Sequence, residues 1–238
     1  MEQQAIKEIT AKAAVQKLVK SGMKLGLGSG STAVLVVREI GELLAKGELK
    51  NILAVPTSFQ TAMECEKWKI PLFTLNSSEI GGELDLTIDG ADEVDPENRL
   101  LKGGGGALLL EKIVAYASAF YAIVVDESKL VENLGLAFPL PVEVVPDARV
   151  PVTGVLQKLN ADVVLREAVR KAGPVITDNG NLLLDMRFKT AINPVALEAE
   201  INRIPGVVEN GFFTGPFNRK LVPQVFIGRA DGKVEVRP

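Results

Sequence analysis

Short apolar runs alternate with longer amphipathic stretches along the first half of the chain. Apolar residues recur at helical spacing between residues 3 and 20, and VLVVREIGELLAKG predicts a second helix. Continuous apolar runs predict strands at MKLGLG, NILAVPTS, IPLFTL, LDLTIDGADEVD and YAIVVDESK. Apolar strands that alternate with helices in this way predict a parallel sheet with helices on both faces. Ligands of such sheets bind at the carboxyl ends of the strands.

The pattern changes after FPLPVEVVP, where three prolines fall between residues 139 and 146. The next segments predict the order βαβββα-β, in which PVITDNGNLLLDM forms a hairpin and NPVALEAEINRI a helix capped by Asn193. This order predicts a small α+β domain with an antiparallel sheet. The tail PQVFIGRADGKVEV predicts a closing hairpin that returns to the first domain. We therefore expect one domain over 1–134 and 209–238, and another over 135–208.

Composition excludes several classes of function. The 238 residues carry a net charge of −3, which is unlike a nucleic-acid-binding surface. No apolar run has the length of a membrane span, and the N-terminal residues do not resemble a signal peptide, so we expect a cytoplasmic protein without membrane or nucleic-acid partners. Histidine is absent and Cys65 is the only cysteine, which excludes Ser-His-Asp triads and the usual zinc sites.

The segment GLGSGST, residues 26 to 32, joins a predicted strand to a predicted helix. Backbone N–H groups at a helix N-terminus attract anions, and Ser31 and Thr32 could add hydroxyl donors. The glycine spacing fits neither the dinucleotide fingerprint nor the Walker pattern. The segment therefore predicts a phosphate-sized anion site, and the alternative is a tight turn with a Ser/Thr cap.

Two carboxylates occur in DGAD at the end of another apolar strand. Asp89 and Asp92 can share one site, where each would raise the pKa of the other and make one a general acid. The alternative is a turn in which each aspartate caps local backbone.

The stretch LLKGGGGALLLEK places four glycines after Lys102 and a glutamate, Glu111, about two turns into the following helix. Glycine backbone can approach a ligand closely, and a glutamate in apolar surroundings tends toward a raised pKa that suits a general base. The alternative is an exposed Glu111 that pairs with a neighbour such as Lys112 or Arg99. Lys129, in DESK, would complete an electropositive rim, and the alternative is an ordinary exposed lysine.

The motifs GSGSTA, TIDGADEVD, LKGGGGALLLEKIVA, DESK, FPLPVEVVP and VITDNGNLLLD resemble, in this order, the type A ribose-5-phosphate isomerases. The resemblance extends from about residue 5 to about residue 232. It implies a Rossmann-like α/β domain with a smaller ferredoxin-like α+β domain. It also implies interconversion of ribose 5-phosphate and ribulose 5-phosphate in the pentose phosphate pathway, with no metal or other cofactor, by a homodimer or dimer of dimers.

The resemblance also implies roles for individual residues. Glu111 matches the general base, and we expect Asp89 to assist ring opening and Lys102 to stabilise a cis-enediolate. The substrate-binding positions are Ser29, Gly30, Ser31, Thr32, Asp89, Gly90, Ala91, Asp92, Lys102, Gly103, Gly104, Gly105, Lys129 and Lys7.

One segment departs from the family pattern: TGPFNRKLVPQVFIG is longer than in relatives and carries Arg219 and Lys220. Two other functions stay open at this point. One is a sugar-phosphate sensor domain that performs no chemistry. The other is a coenzyme A transferase-like enzyme that uses a glutamate as nucleophile.

Overall fold

The computed structural model describes residues 1–215 and 223–238. Its helices, in chain order, are α1 (Gln3–Leu18), α2 (Ala33–Ala45), α3 (Phe59–Lys67), α4 (Leu108–Tyr116), α5 (Arg149–Leu156) and α6 (Pro194–Ile201). Its strands are β1 (Lys24–Leu27), β2 (Leu53–Pro56), β3 (Leu84–Asp89), β4 (Glu93–Val94), β5 (Leu100–Leu101), β6 (Ser118–Asp126), β7 (Leu140–Val144), β8 (Ala161–Leu165), β9 (Leu182–Phe188), β10 (Val207–Asn210), β11 (Phe212–Phe213), β12 (Gln224–Gly228) and β13 (Val234–Arg237).

The chain divides into two compact units. The first contains Met1–Ala91, Leu110–Lys129 and the C-terminal strands, and the second contains Asp92–Leu109 and Leu130–Gly215. These units differ from the domains expected from the sequence in three stretches: residues 92–109, 130–134 and 209–215 were expected in the first domain and belong to the second unit. The part of the unusual segment that carries Arg219 and Lys220, residues 216–222, lies outside the described residues.

The first unit is built on a six-stranded sheet in the order β13-β12-β6-β3-β1-β2. Its strands are parallel except for β13, which pairs antiparallel with β12. The predicted parallel sheet and the predicted closing hairpin are therefore confirmed. The strand predicted at IPLFTL is wrong, since only Leu72 forms a bridge there, to Ala54. Pro71 lacks an N–H to donate, and a turn at Thr74–Ser77 follows.

Helices cover both faces of this sheet, as predicted. One face presents alternate strand residues to α1, α2 and α3, namely Leu25, Leu27, Leu86, Ile88, Ala122, Val124 and Phe226. On the other face, Val114 of α4 packs with Val55 and Leu84, and the Thr87 hydroxyl donates to the Val114 carbonyl at 3.4 Å. The fold therefore has the expected Rossmann-like α/β arrangement.

The second unit contains a four-stranded antiparallel sheet in the order β10-β7-β9-β8, with α5 and α6. The order βαββαβ is ferredoxin-like, and Asn193 caps α6 by accepting from the Ala196 N–H at 3.2 Å, as predicted. The first arm of the predicted TDNGN hairpin is not a strand. Only Pro174 and Ile176 form isolated bridges there, so the predicted order had one strand too many.

Candidate active site

The turn between β1 and α2 is anchored to the end of β3. The N–H of Gly28 donates to the Ile88 carbonyl at 3.0 Å, and the N–H of Ser29 donates to Asp89 Oδ1 at 3.1 Å. Thr32, at the start of α2, makes no side-chain capping bond. The simple Ser/Thr cap considered from the sequence is therefore absent at Thr32, and the hydroxyl of this residue is not used to cap the helix.

A cluster of hydroxyl groups supports this turn from β2 and α3. Ser29 Oγ lies 2.8 Å from Thr57 Oγ1 and 2.6 Å from Ser58 Oγ. Thr61 Oγ1 donates to the Gly28 carbonyl at 2.7 Å. Sequence reasoning missed these residues, although Thr57 directly follows a strand and so lies at the edge where β1 and β3 also end.

Lys7 of α1 reaches the same turn. Its Nζ lies 3.0 Å from Ser31 Oγ, so the ammonium group and an exposed hydroxyl stand together at the N-terminal end of α2. The positive charge of Lys7 also acts on Asp126 at the end of β6. Burial would raise the pKa of Asp126, but hydrogen bonds from Ser128 and Gln3 and the charge of Lys7 hold it below its usual value.

Asp89, the last residue of β3, is fully buried. Its Oδ1 accepts from the backbone N–H of Ser29 at 3.1 Å and of Gly90 at 2.7 Å. Gly28 leaves the space for this carboxyl, because a Cβ there would lie 2.0 Å from Asp89 Oδ1. Two amide donors and a glycine therefore set the position of the carboxylate.

Glu111 is the fourth residue of α4 and is only 5% exposed. The expectation that it lies two turns into the helix is wrong, because α4 begins at Leu108. It precedes Val114 by three residues, so both side chains lie on the helix face that packs against the sheet. The alternative of an exposed Glu111 fails because the side chain is buried, and Arg99 Nε for its part donates to Asp95 Oδ2 at 2.5 Å.

Tyr121 of β6 is a further buried group, 4% exposed, that sequence reasoning missed. Tyr121 is in register with Thr87 of β3. Asp89 follows Thr87 by two residues on the same strand, so Tyr121 and Asp89 lie on the same face of the sheet. Burial first, and then the charges of Asp89 and Glu111, raise its pKa well above the ordinary value. The phenol therefore remains neutral and is influenced by both carboxylates.

The second unit contains the glycine run. Gly103 and Gly106 have positive φ angles of 99° and 82°, which favour glycine. A Cβ on Gly104 would lie 2.6 Å from Asp92 Oδ1, and the N–H of Gly104 donates to Asp92 Oδ2 at 2.7 Å. A Cβ on Gly105 would meet nothing within 4 Å. The positive φ angle thus explains Gly103 and Gly106, and crowding explains Gly104. Gly105 is left as an open, exposed backbone position.

Lys102 precedes the glycines and is 2% exposed. Its N–H donates to the Gly211 carbonyl at 2.8 Å, and its Nζ lies 5.6 Å from the centre of the Phe213 ring. Lys129, in contrast, is a half-buried residue at the end of a short 3-10 helix over Glu127–Lys129.

The site residues thus fall into two groups. The first unit contains Lys7, the Ser29–Thr32 turn, Asp89, Gly90, Ala91, Glu111 and Lys129, and the second contains Asp92, Lys102 and Gly103–Gly105. Within 1–215 and 223–238, no cluster of three or more His, Cys, Asp or Glu side chains is suited to hold a metal ion. Among the same residues, no helix is long and apolar enough to cross a membrane.

Comparison with known proteins decides the family. The family model described as ribose 5-phosphate isomerase A (phosphoriboisomerase A) matches residues 53–232. The chain belongs to the ribose 5-phosphate isomerase A family. A ribose-5-phosphate isomerase A from Treponema denticola is 50% identical over 242 residues, which cover 99% of each chain. The same-named protein of Thermosynechococcus vestitus is 50% identical over 232 residues, 98% of this chain and 95% of its own.

Solved structures of the family agree. A ribose 5-phosphate isomerase A from Methanocaldococcus jannaschii has a TM-score of 0.88 and 44% identity, and the match covers 98% of this chain and 97% of that one. A D-ribose-5-phosphate isomerase in complex with phospho-erythronic acid has a TM-score of 0.91 and 39% identity, and covers both chains fully. The chain is thus an enzyme, an aldose-ketose isomerase. Neither a sensor domain nor a coenzyme A transferase-like enzyme is supported by these relatives.

Proposed function

We propose that this isomerase interconverts D-ribose 5-phosphate and D-ribulose 5-phosphate with Glu111 as the base that moves the proton. The observation that carries the assignment is the burial of this glutamate on the helix face of α4 that packs against the sheet. A carboxylate in such surroundings can exchange a proton with carbon near neutral pH. The chain has no histidine for this task.

The proposed reaction begins with opening of the sugar ring, assisted by Asp89. Glu111 then removes the proton from C2 of the open aldose, and the electron pair moves to form a cis-enediolate. The same carboxyl group returns the proton to C1, and the hydroxyl proton of O2 passes to O1, which gives the ketose. C2 is oxidised as C1 is reduced within the same molecule, so the reaction requires no external oxidant or reductant.

Binding groups hold the two ends of the sugar. Ser31, Thr32 and Lys7 grip the phosphate, because their hydroxyl and ammonium groups stand together at the start of α2. Lys102 and the backbone N–H groups of Gly103 and Gly105 donate to the enediolate oxygens, where preorganised donors are most effective, and Gly104 binds Asp92 through its N–H. Asp92 accepts from a sugar hydroxyl, and Ser29, Gly30, Gly90, Ala91 and Lys129 complete the binding residues.

Glu111→Gln tests the assignment, because glutamine has nearly the same shape but cannot accept the proton. We expect kcat to fall by about 10²-fold or more, with the unfolding midpoint nearly unchanged. Glu132→Gln removes an exposed carboxylate from a position without a proposed role and serves as the matched control. A folded Glu111→Gln protein with wild-type turnover would contradict the proposal.

We also propose that the enzyme works in the cytoplasm, in the non-oxidative branch of the pentose phosphate pathway, as a homodimer or dimer of dimers without a metal. The family named by its relatives is a metabolic one, which supports the pathway. Sedimentation at micromolar concentration would test the assembly. Activity that is lost after treatment with a chelator and restored by a divalent metal would contradict the metal-free reaction.

A further inference from the structure

Arg166, directly after β8, joins the small antiparallel sheet to the glycine run. Its Nη1 donates to two successive carbonyls, that of Gly103 at 3.1 Å and that of Gly104 at 3.0 Å. Its Nε and Nη2 donate to the two oxygens of Asp185 on β9, at 2.8 Å and 2.5 Å. A guanidinium group thus spans from a carboxylate on a strand to the backbone of a loop.

The strands around the Arg166–Asp185 ion pair form a regular antiparallel ladder. Asp185 lies in β9, which pairs with β7 on one side and with β8 on the other. The N–H of Arg166 continues the ladder by donating to the Leu183 carbonyl at 2.9 Å. The side chains of Arg166 and Asp185 are 15% and 22% exposed, so water competes little for their hydrogen bonds.

The two carbonyl contacts determine where the loop amides point. In a trans peptide the N–H is directed opposite to the C=O of the same plane. With both carbonyls turned toward Arg166, the N–H groups of Gly104 and Gly105 must point away from it. That of Gly104 meets Asp92 Oδ2 at 2.7 Å, and that of Gly105 belongs to the exposed residue of the run.

The loop needs such an anchor because glycine supplies none of its own. Without side chains, Gly103–Gly105 has many accessible backbone conformations, and a donor that must first be ordered stabilises developing charge less than one already in place. The guanidinium charge also polarises both peptide groups, which makes their N–H groups stronger donors.

We propose that Arg166, held by Asp185, is a positioning residue that orients and polarises the Gly105 amide for the anionic enediolate, while the neighbouring Gly104 amide is held by Asp92. The proposal rests on the proposed function, in which this loop donates to the intermediate. It gives the small domain a part in the chemistry, although Arg166 itself does not touch the sugar.

Arg166→Lys and Asp185→Asn test this role, with Arg187→Gln as the matched control. Lysine keeps the charge but cannot span two carbonyls and a carboxylate together. Arg187 is an exposed arginine on the same strand as Asp185. We expect Arg166→Lys and Asp185→Asn to lower kcat by about 10- to 100-fold, with KM changed by less than about threefold, because the amides act on the transition state.

A pair of ligands separates positioning from mere structural support. Phospho-erythronic acid carries a carboxylate, whereas erythritol 4-phosphate carries a neutral CH2OH group in its place. We expect Arg166→Lys to weaken binding of the acid by about tenfold or more and binding of the alcohol by less than about threefold. Equal weakening of both ligands, or of neither, would overturn the proposal.

Failure of the positioning role of Arg166 can be distinguished from failure of the proposed function. If Glu111→Gln retains turnover, the proposed function fails regardless of the Arg166 variants. If Glu111→Gln is inactive while folded Arg166→Lys and Asp185→Asn keep wild-type kcat and ligand discrimination, only the positioning role is wrong. Thermal unfolding of each variant, measured at the assay pH, establishes that the folded protein is being compared.

Discussion

Replacing Gly28 with alanine should push the Asp89 carboxyl out of its place at the end of β3. The added Cβ would lie 2.0 Å from Asp89 Oδ1, 2.2 Å from its Cγ and 2.5 Å from its Cα. The last of these contacts is to backbone, so a change of side-chain rotamer cannot relieve the overlap. The backbone at Gly28 and the end of β3 are also joined by the hydrogen bond from the Gly28 N–H to the Ile88 carbonyl at 3.0 Å.

The size of the effect follows from these distances. An ordinary Cβ contact begins near 3.4 Å, so Asp89 Oδ1 must withdraw by about 1.4 Å or the strands must separate. A displacement of about 1 Å in a reacting group can cost on the order of 10²-fold in rate. Overpacking of a buried position also lowers the free energy of unfolding by about 1–3 kcal/mol.

Formation of ribulose 5-phosphate and urea denaturation would measure both effects on Gly28→Ala. Gly154→Ala is the control, because a Cβ at that helical position meets nothing within 4 Å and should leave activity unchanged. A Gly28→Ala protein with kcat/KM and urea midpoint equal to wild type would refute the reasoning about Asp89.

Two further predictions concern other parts of the first unit. Lys7→Met should raise KM by about tenfold with little change in kcat, because a charge-assisted contact to the phosphate is lost. Lys12→Met, on the exposed face of α1, should leave KM unchanged. A Lys7→Met protein with the wild-type KM would count against a phosphate role. Cys65 should resist thiol reagents in the folded protein, since burial, followed by the nearby charges of Glu64 and Glu66, raises its pKa from 9.0 to about 12. The Cys65 thiol ionises at lower pH in the unfolded chain than in the folded one. Its contribution to the free energy of unfolding is therefore full below pH 9.0 and is lost as pH rises toward about 12. Rapid labelling of the native protein near pH 8 would contradict the burial of Cys65.

The parallel sheet was predictable because its buried strands are continuous apolar runs between helices. The two wrong strands both contain a proline, Pro71 or Pro174, that cannot donate to a ladder, and each segment forms only isolated bridges. Hydrophobic runs alone do not distinguish such segments from paired strands. The cap at Asn193 was predictable because capping depends on a few adjacent residues.

The candidate site was predictable only where its chemistry is local in sequence. Glycine runs and strand-end carboxylates indicated Asp89 and Glu111 as candidates, but the hydroxyl cluster around Ser29 carries no charge pattern. Arg166 lies 63 residues from Gly103 along the chain, so no spacing rule connects the two. Tyr121 resembled an ordinary strand residue until its register with β3 placed it on the sheet face of Asp89.

Deuterium exchange tests the role of Glu111 most directly. Chelator-treated protein is incubated with ribose 5-phosphate in heavy water, and deuterium at C2 of the recovered aldose is measured. We predict incorporation with the wild-type enzyme and with Glu132→Gln, and none above the uncatalysed level with folded Glu111→Gln. Incorporation by Glu111→Gln at the wild-type rate would show that another group removes the proton.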